Sequence, residues 1–193
     1  MARHRTLSLI AAIALAIAFV APAHATPPET ADALFAHARA EAKAEHKNVL
    51  MVFSASWCGP CKLYERLLHD PQMRTITEKA FVIQRIDVGE SPRNTQYVDT
   101  PGGVALRSAL ADLPSPGFPF EPGFPFLVIT DENGKPLINS CRNGNREDNI
   151  GYPDSPKEID WYVEMLKRAA PALSTQDLVA TRTWLQAHAG ASH

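Results

Sequence analysis

The chain has 193 residues, 45% of them hydrophobic and 21% charged, with a formal net charge of −2. That length suffices for one domain with a core of its own. The near-balanced charge, with no basic block and no basic face interleaved with aromatics, excludes nucleic acid as an expected partner, and the three cysteines, Cys58, Cys61 and Cys141, are too few for a disulfide scaffold.

The first stretch reads as a targeting segment. Arg3, His4 and Arg5 form a basic start, Leu7 to Ala21 is apolar, and Ala23-His24-Ala25 is a small-residue cleavage signal. Residues 1–25 are therefore predicted to be a secretory signal peptide, leaving a mature chain of residues 26–193 that is periplasmic or secreted. The apolar run falls short of the about 20 residues that a membrane span needs; the alternative reading is an uncleaved anchor. Thr26, not a cysteine, follows the cleavage point, which argues against a lipid-anchored form. Cleavage removes Arg3 and Arg5 and no acid, so 17 of the 19 basic residues remain against 21 acidic ones, a net charge of −4.

Thr26-Pro27-Pro28-Glu29 looks like a helix start, and Ala31, Leu34, Phe35, Ala38 and Ala42 recur at helical spacing up to Glu45. His37 and His46 lie off that stripe and read as solvated. Asn48 to Ala55 is almost continuously apolar, the pattern of a central strand buried on both faces. A helix opens at Pro60 and reaches about His69. Asp70-Pro71 caps and restarts a helix that runs to about Lys79. Phe81 to Val88 is the next strand, and strand–helix–strand implies a right-handed parallel crossover.

Gly89 to Gly103 reads as a long polar loop, followed by a short helix, Val104 to Leu113. Pro116-Gly117-Phe118-Pro119-Phe120 then recurs as Pro122-Gly123-Phe124-Pro125-Phe126, and the second copy runs into a strand, Leu127-Val128-Ile129. Asp131 to Gly134 makes a hairpin turn, and Pro136 to Cys141 is the return strand. Arg142 to Pro153 is a polar loop. Ser155-Pro156-Lys157-Glu158 is a capping box opening a helix that ends near Pro171. Ser174 to Asp177 caps a last helix, predicted over about 174–189, whose aromatics read as core and docking residues.

The chemistry concentrates in Trp57-Cys58-Gly59-Pro60-Cys61, between the first strand and the helix it feeds. A helix N-terminus offers unpaired N–H groups and partial positive charge, and both favour a thiolate, which is the nucleophile. The expected geometry makes Cys58 the exposed, attacking sulfur and Cys61 the resolving one beneath it. Gly59 permits the close turn, Pro60 suits the first helical turn, and Trp57 would shield one side. A lone C-x-x-C is also half of a zinc site, or a lasting structural disulfide. The chain has no second C-x-x-C and no Cys/His pair at ligand spacing, so neither a metal nor a cofactor is expected. Outside the cytoplasm disulfides form and persist, and the adjacent pair is read as catalytic.

The five residues Trp57 to Cys61 resemble the active site of thioredoxins, and the element order from Ala31 to Ala170 resembles their fold. The resemblance implies an α/β, thioredoxin-like fold, a central mixed sheet flanked by helices, over a core of about residues 31–170, with loop insertions and a C-terminal helical extension. It further implies that Pro125, after Phe124, is the cis-proline that faces the dithiol and seats an extended substrate segment. Pro119, in the first copy of the repeat, is the competing candidate, and a plain trans-proline is the alternative. Two positions depart from the family pattern. Val52 stands where thioredoxins carry a buried Asp six residues before the first cysteine, and the strand that would supply its Lys partner reads Val82-Ile83-Gln84, with Ile83 the expected counterpart. Cys61 would then lose its proton more slowly, or to water or Glu65, while Lys62 and Arg66 favour thiolate or are simply solvated. Cys141 reads as a buried apolar residue, the alternative being a second resolving thiol.

The implied function is an exported thiol–disulfide oxidoreductase that acts on protein thiols and disulfides. The Gly-Pro pair between the cysteines resembles reducing members and implies a membrane electron donor. The missing Asp and the oxidising compartment point instead to an oxidase or isomerase with a membrane acceptor. The rival reading is a binding or assembly factor for a cytochrome or copper centre, its dithiol idle or holding copper. Nothing in the sequence sets an oligomeric state.

Overall fold

A computed structural model describes residues 28–91, 93, 96–111 and 123–190. The proposed signal segment, Thr26, Pro27, Pro119 with the rest of the first repeat copy, and the end of the helix expected to reach Leu113 lie outside these residues.

The fold is built around β1 (Asn48–Ser54), whose side chains alternate between two apolar layers. Val49, Met51 and Phe53 point to one, Leu50 and Val52 to the other, and all five are at most 2% exposed. A strand buried on both faces has to lie inside a sheet, and the strand order is β2-β1-β3-β4. β2 (Phe81–Asp87) runs parallel to β1; β3 (Phe126–Thr130) runs antiparallel to it on the other side; β4 (Pro136–Asn139) pairs antiparallel with β3. Pro136 cannot donate to a ladder, and it opens the edge strand, where that loss is tolerated.

Helices cover both faces. α1 (Ala31–Glu45) packs Phe35, Ala38 and Ala42 against one side with α4 (Gly103–Leu110). α2 (Gly59–His69), α3 (Pro71–Ala80), α5 (Pro156–Ala169) and α6 (Thr175–Ala187) cover the other, through Tyr64, Leu67, Met73, Tyr162, Met165 and Leu185.

The helix boundaries follow from caps. α1 starts one residue after Thr30, whose hydroxyl accepts the Ala33 amide, so the N-cap is Thr30 rather than the prolines before it. Asp70 ends α2 and caps α3, its carboxylate accepting the Gln72 and Met73 amides. Both C-terminal helices carry capping boxes, at Ser155/Glu158 and Ser174/Asp177. α4 spans Gly103–Leu110, with Ala111 as its C-cap, and Gly103 lets it sit close on β2: a Cβ there would lie 2.6 Å from a Val88 methyl. The return strand stops at Asn139, and the polar segment after it makes two short 3-10 turns, 142–144 and 146–148.

Candidate active site

β1 ends at Ser54 and α2 begins at Gly59, so the four residues between them carry the turn. Cys58 is the N-cap of α2, and its Sγ accepts the Cys61 N–H at 3.1 Å. Cys58 and Cys61 are joined by a disulfide, with their Cα atoms 5.2 Å apart. Gly59 and Pro60 fill the first helical positions, where the proline's missing N–H has no intrahelical partner to lose.

Both sulfur-bearing residues are 3% exposed, so Cys58 is not the open sulfur that the spacing suggested. Trp57, 59% exposed, stands at the rim, and the Phe124 ring packs against Ala55, Cys58 and Cys61. Trp57 and Phe124 meet edge to face, their centroids 5.9 Å apart. The preference for Cys58 as the thiolate therefore rests on the N–H aimed at its sulfur and on the helix terminus, not on exposure.

The peptide bond Phe124–Pro125 is cis. Asn149 fixes it from the side: its amide nitrogen donates to the carbonyls of Gly123 (2.7 Å) and Pro125 (3.1 Å), and its amide oxygen accepts the Ser140 hydroxyl. The Ser140 oxygen in turn accepts the Leu127 N–H, which ties the loop to the start of β3. Among the described residues, no backbone hydrogen bond takes up the N–H or C=O of Phe124. A cleft of about 340 Å³ opens beside it, lined by Pro60, Phe124, Asn149, Gly151 and Tyr152.

On the other side of the dithiol, the loop after β2 clamps the active-site turn. The Glu90 carboxylate accepts the Ser56 N–H (2.5 Å) and hydroxyl (2.6 Å), and the Gly89 carbonyl accepts the Trp57 indole N–H (2.8 Å). Gly89 has φ +74°, and a Cβ there would lie 3.0 Å from the Phe124 ring; both facts require glycine. Sequence reasoning found neither Asn149 nor Glu90. Each sits in a polar loop among similar residues, and no local pattern separates them.

Val52, which stands where the family pattern has an acid, is buried in the apolar layer shared with Tyr64 and Leu67. Its register partner on β2 is Arg85, however; Ile83 pairs with Leu50. Arg85 reaches Glu65 of α2 at 3.2 Å and Asp87 at 2.7 Å, so Glu65 already holds a cation. Lys62 and Arg66 are exposed on α2. Cys141 is 4% exposed, forms no disulfide and packs in the α1-side core. No three His, Cys, Asp or Glu side chains cluster as a metal site among the described residues, and no described helix is long and apolar enough to cross a membrane.

A family model described as thioredoxin-like matches residues 30–131, more than half of the chain. The chain belongs to the thioredoxin-like family. Its Cys58–Cys61 pair has the spacing and the disulfide of a thiol–disulfide oxidoreductase. Among solved structures it is similar to a disulphide isomerase from Xylella fastidiosa Temecula1, at 26% identity over 67% of this chain and 86% of that one, with a TM-score of 0.47. It is also similar to a DsbH oxidoreductase (20%, 77% and 92%, TM-score 0.45) and to the oxidised C-terminal domain of Neisseria meningitidis DsbD (23%, 69% and 93%, TM-score 0.39). A search of curated proteins finds none that matches.

Proposed function

We propose that this thioredoxin-like protein is exported and exchanges its Cys58–Cys61 dithiol with disulfides of protein substrates, in the reducing direction. The observation that carries the reading is the Cys61 N–H directed at the Cys58 sulfur, at the head of α2 and beside a cis-proline loop. The Cys58 thiolate attacks a substrate disulfide, forms a mixed disulfide and expels one substrate thiolate. Cys61, once deprotonated, attacks Cys58 and expels the second. Two electrons pass to the substrate, and a membrane dithiol donor must restore them. The backbone of Phe124 and the adjoining cleft offer an extended segment a place to pair. Export is supported by the basic start, the apolar run and the Ala23-His24-Ala25 signal.

The test is the reduction potential of the pair, by equilibration against glutathione with thiol trapping. A value at or below about −250 mV supports the reductant; one near about −120 to −180 mV reassigns the protein as an oxidase or isomerase. Cys58→Ser abolishes disulfide reduction, and Cys61→Ser accumulates a mixed disulfide without turnover. Unchanged turnover in either variant overturns the mechanism.

A further inference from the structure

A buried guanidinium stands against the aromatic ring that packs on the dithiol. Arg107, on α4, is 1% exposed, and its Cζ lies 5.2 Å from the centroid of the Phe124 ring. The same ring packs against Cys58 and Cys61. One aromatic ring thus touches both a cation that is itself buried and the buried cysteine pair, where charge is weakly screened. Burial lowers the affinity of Arg107 for its proton and the nearby Asp99 carboxylate opposes that, but a guanidinium stays charged in proteins.

We propose that Arg107 is a positioning residue for the dithiol chemistry: it holds the Phe124 ring against the sulfurs by a cation–π contact, and its charge stabilises the Cys58 thiolate. The inference rests on the reading of Cys58 as the nucleophile. Reducing the disulfide adds two electrons, and above the Cys58 pKa it takes up one proton, at Cys61, because Cys58 stays ionised. A cation behind Cys58 favours that product, and so shifts the pair toward the dithiol and raises its potential.

Other charges face the site. Glu90 on the Ser56 side opposes the thiolate; Asp99 accepts the Glu90 N–H and tempers Arg107. On α2, Lys62 is exposed and Glu65 is paired with Arg85. Across the cleft, Asp154 and Glu158 accept backbone N–H groups of Gly190 and Ser155. Arg107 is the cation that touches the ring packed on the sulfurs.

The experiment compares Arg107→Met, Arg107→Lys and Asp99→Asn with the parent chain. It reads the Cys58 pKa from thiolate absorbance against pH, the equilibrium with glutathione, and folding by circular dichroism; mass spectrometry identifies the cysteine alkylated first. Arg107→Met raises the Cys58 pKa by about one unit. It shifts the glutathione equilibrium about tenfold toward the disulfide, which is about 30 mV. Arg107→Lys recovers most of both changes, and Asp99→Asn lowers the Cys58 pKa. A folded Arg107→Met with unchanged pKa and potential overturns the proposal, as does an Arg107→Lys that behaves like Met. If Arg107→Met does not fold, an Asp99→Asn pKa that is unchanged or raised overturns it. First alkylation at Cys61 instead overturns the assignment of the nucleophile, and with it this proposal.

Discussion

Val52 and Arg85 are register partners across the parallel β1–β2 pair, one 2% exposed in the apolar layer under α2, the other reaching out to Glu65 on α2. Where thioredoxins bury an acid with a lysine beside it, this chain has an apolar residue, and its ion pair lies at the rim between β2 and α2. β1 itself carries no acid.

Val52→Asp tests what that costs. The new carboxyl lies in an apolar layer, where burial raises its pKa. A raised pKa means that stability is kept below about pH 4 and lost as pH rises, by about 1.4 kcal/mol for each unit. The melting temperature of the variant should therefore lie nearest the parent's near pH 4, where only the burial of a neutral carboxyl counts against it, and fall further below it at pH 8. A carboxylate at the family's position should take the proton of Cys61, so release of a mixed disulfide at Cys58 should quicken by about a hundredfold, the low side of general-base effects. Stopped-flow release kinetics with an unchanged rate would refute a role for the missing acid.

Asn149 holds the cis-proline loop through two carbonyls and is itself held by Ser140. Asn149→Ala leaves those carbonyls and the Ser140 hydroxyl without their shared partner, at a cost of about 1–3 kcal/mol. The loop that flanks the dithiol then loosens. Turnover of a protein disulfide should fall by about tenfold through KM, in line with the sensitivity of positioned groups to small displacements. The Cys58–Cys61 potential should stay where it is, because no charge changes near the sulfurs. A glutathione equilibration that moves along with KM would show that Asn149 acts on the pair directly.

Local signals were legible in the sequence and long-range ones were not. The apolar run of β1, the turn Trp57 to Cys61 and the two capping boxes each specify their structure within a few residues, and they stand where they were read. Glu90 meets Ser56 from 34 positions away and Asn149 meets Pro125 from 24, each out of a polar loop with several equivalent residues. Arg107 carries no local signal in its short helix, and its burial appears only in the fold. The pairing of Val52 with Arg85 rather than Ile83 depends on strand register, which periodicity alone leaves open, since residues 83 and 85 share a face. The burial of Cys58 follows from Phe124, more than 60 residues further on, packing over it.

At low pH the contact between α3 and α6 should be an early one to weaken. The Lys79 ammonium donates to Asp177 at 2.6 Å, and bonds from Lys79 and then Ser174 pull that carboxyl down to about 2. A depressed pKa gives stability that is present above about pH 4 and lost as pH falls toward 2. The shift corresponds to somewhat over 2 kcal/mol, but Lys79 is half exposed and solvent screening reduces the pair to about 1 kcal/mol. Asp177→Asn should lower the melting temperature at pH 7 by several degrees. At pH 2 the parent and variant should melt together, and differential scanning calorimetry at both pH values would expose a gap that persists in acid.

At high pH the buried tyrosines set the limit. Tyr64 on α2 and Tyr162 on α5 meet edge to face with their hydroxyls 3.1 Å apart, so each phenol satisfies the other in an otherwise apolar layer. Burial pushes Tyr162 up to about 12, and burial with the neighbouring Tyr162 pushes Tyr64 well above its ordinary value. Because one hydroxyl's proton serves both oxygens, the pair titrates as a unit. Both groups are neutral in the fold and ionise near pH 10 when unfolded. Their contribution is therefore complete below about pH 10 and disappears between about 10 and 12, at about 1.4 kcal/mol per unit for each phenol. Ultraviolet titration should show Tyr64 and Tyr162 ionising only above the ordinary range of a phenol, together with the loss of the circular dichroism signal. Tyr162→Phe leaves the Tyr64 hydroxyl unpartnered and should cost about 1–3 kcal/mol at neutral pH. Ionisation of Tyr64 and Tyr162 near pH 10 with the fold intact would show that the pair is open to solvent.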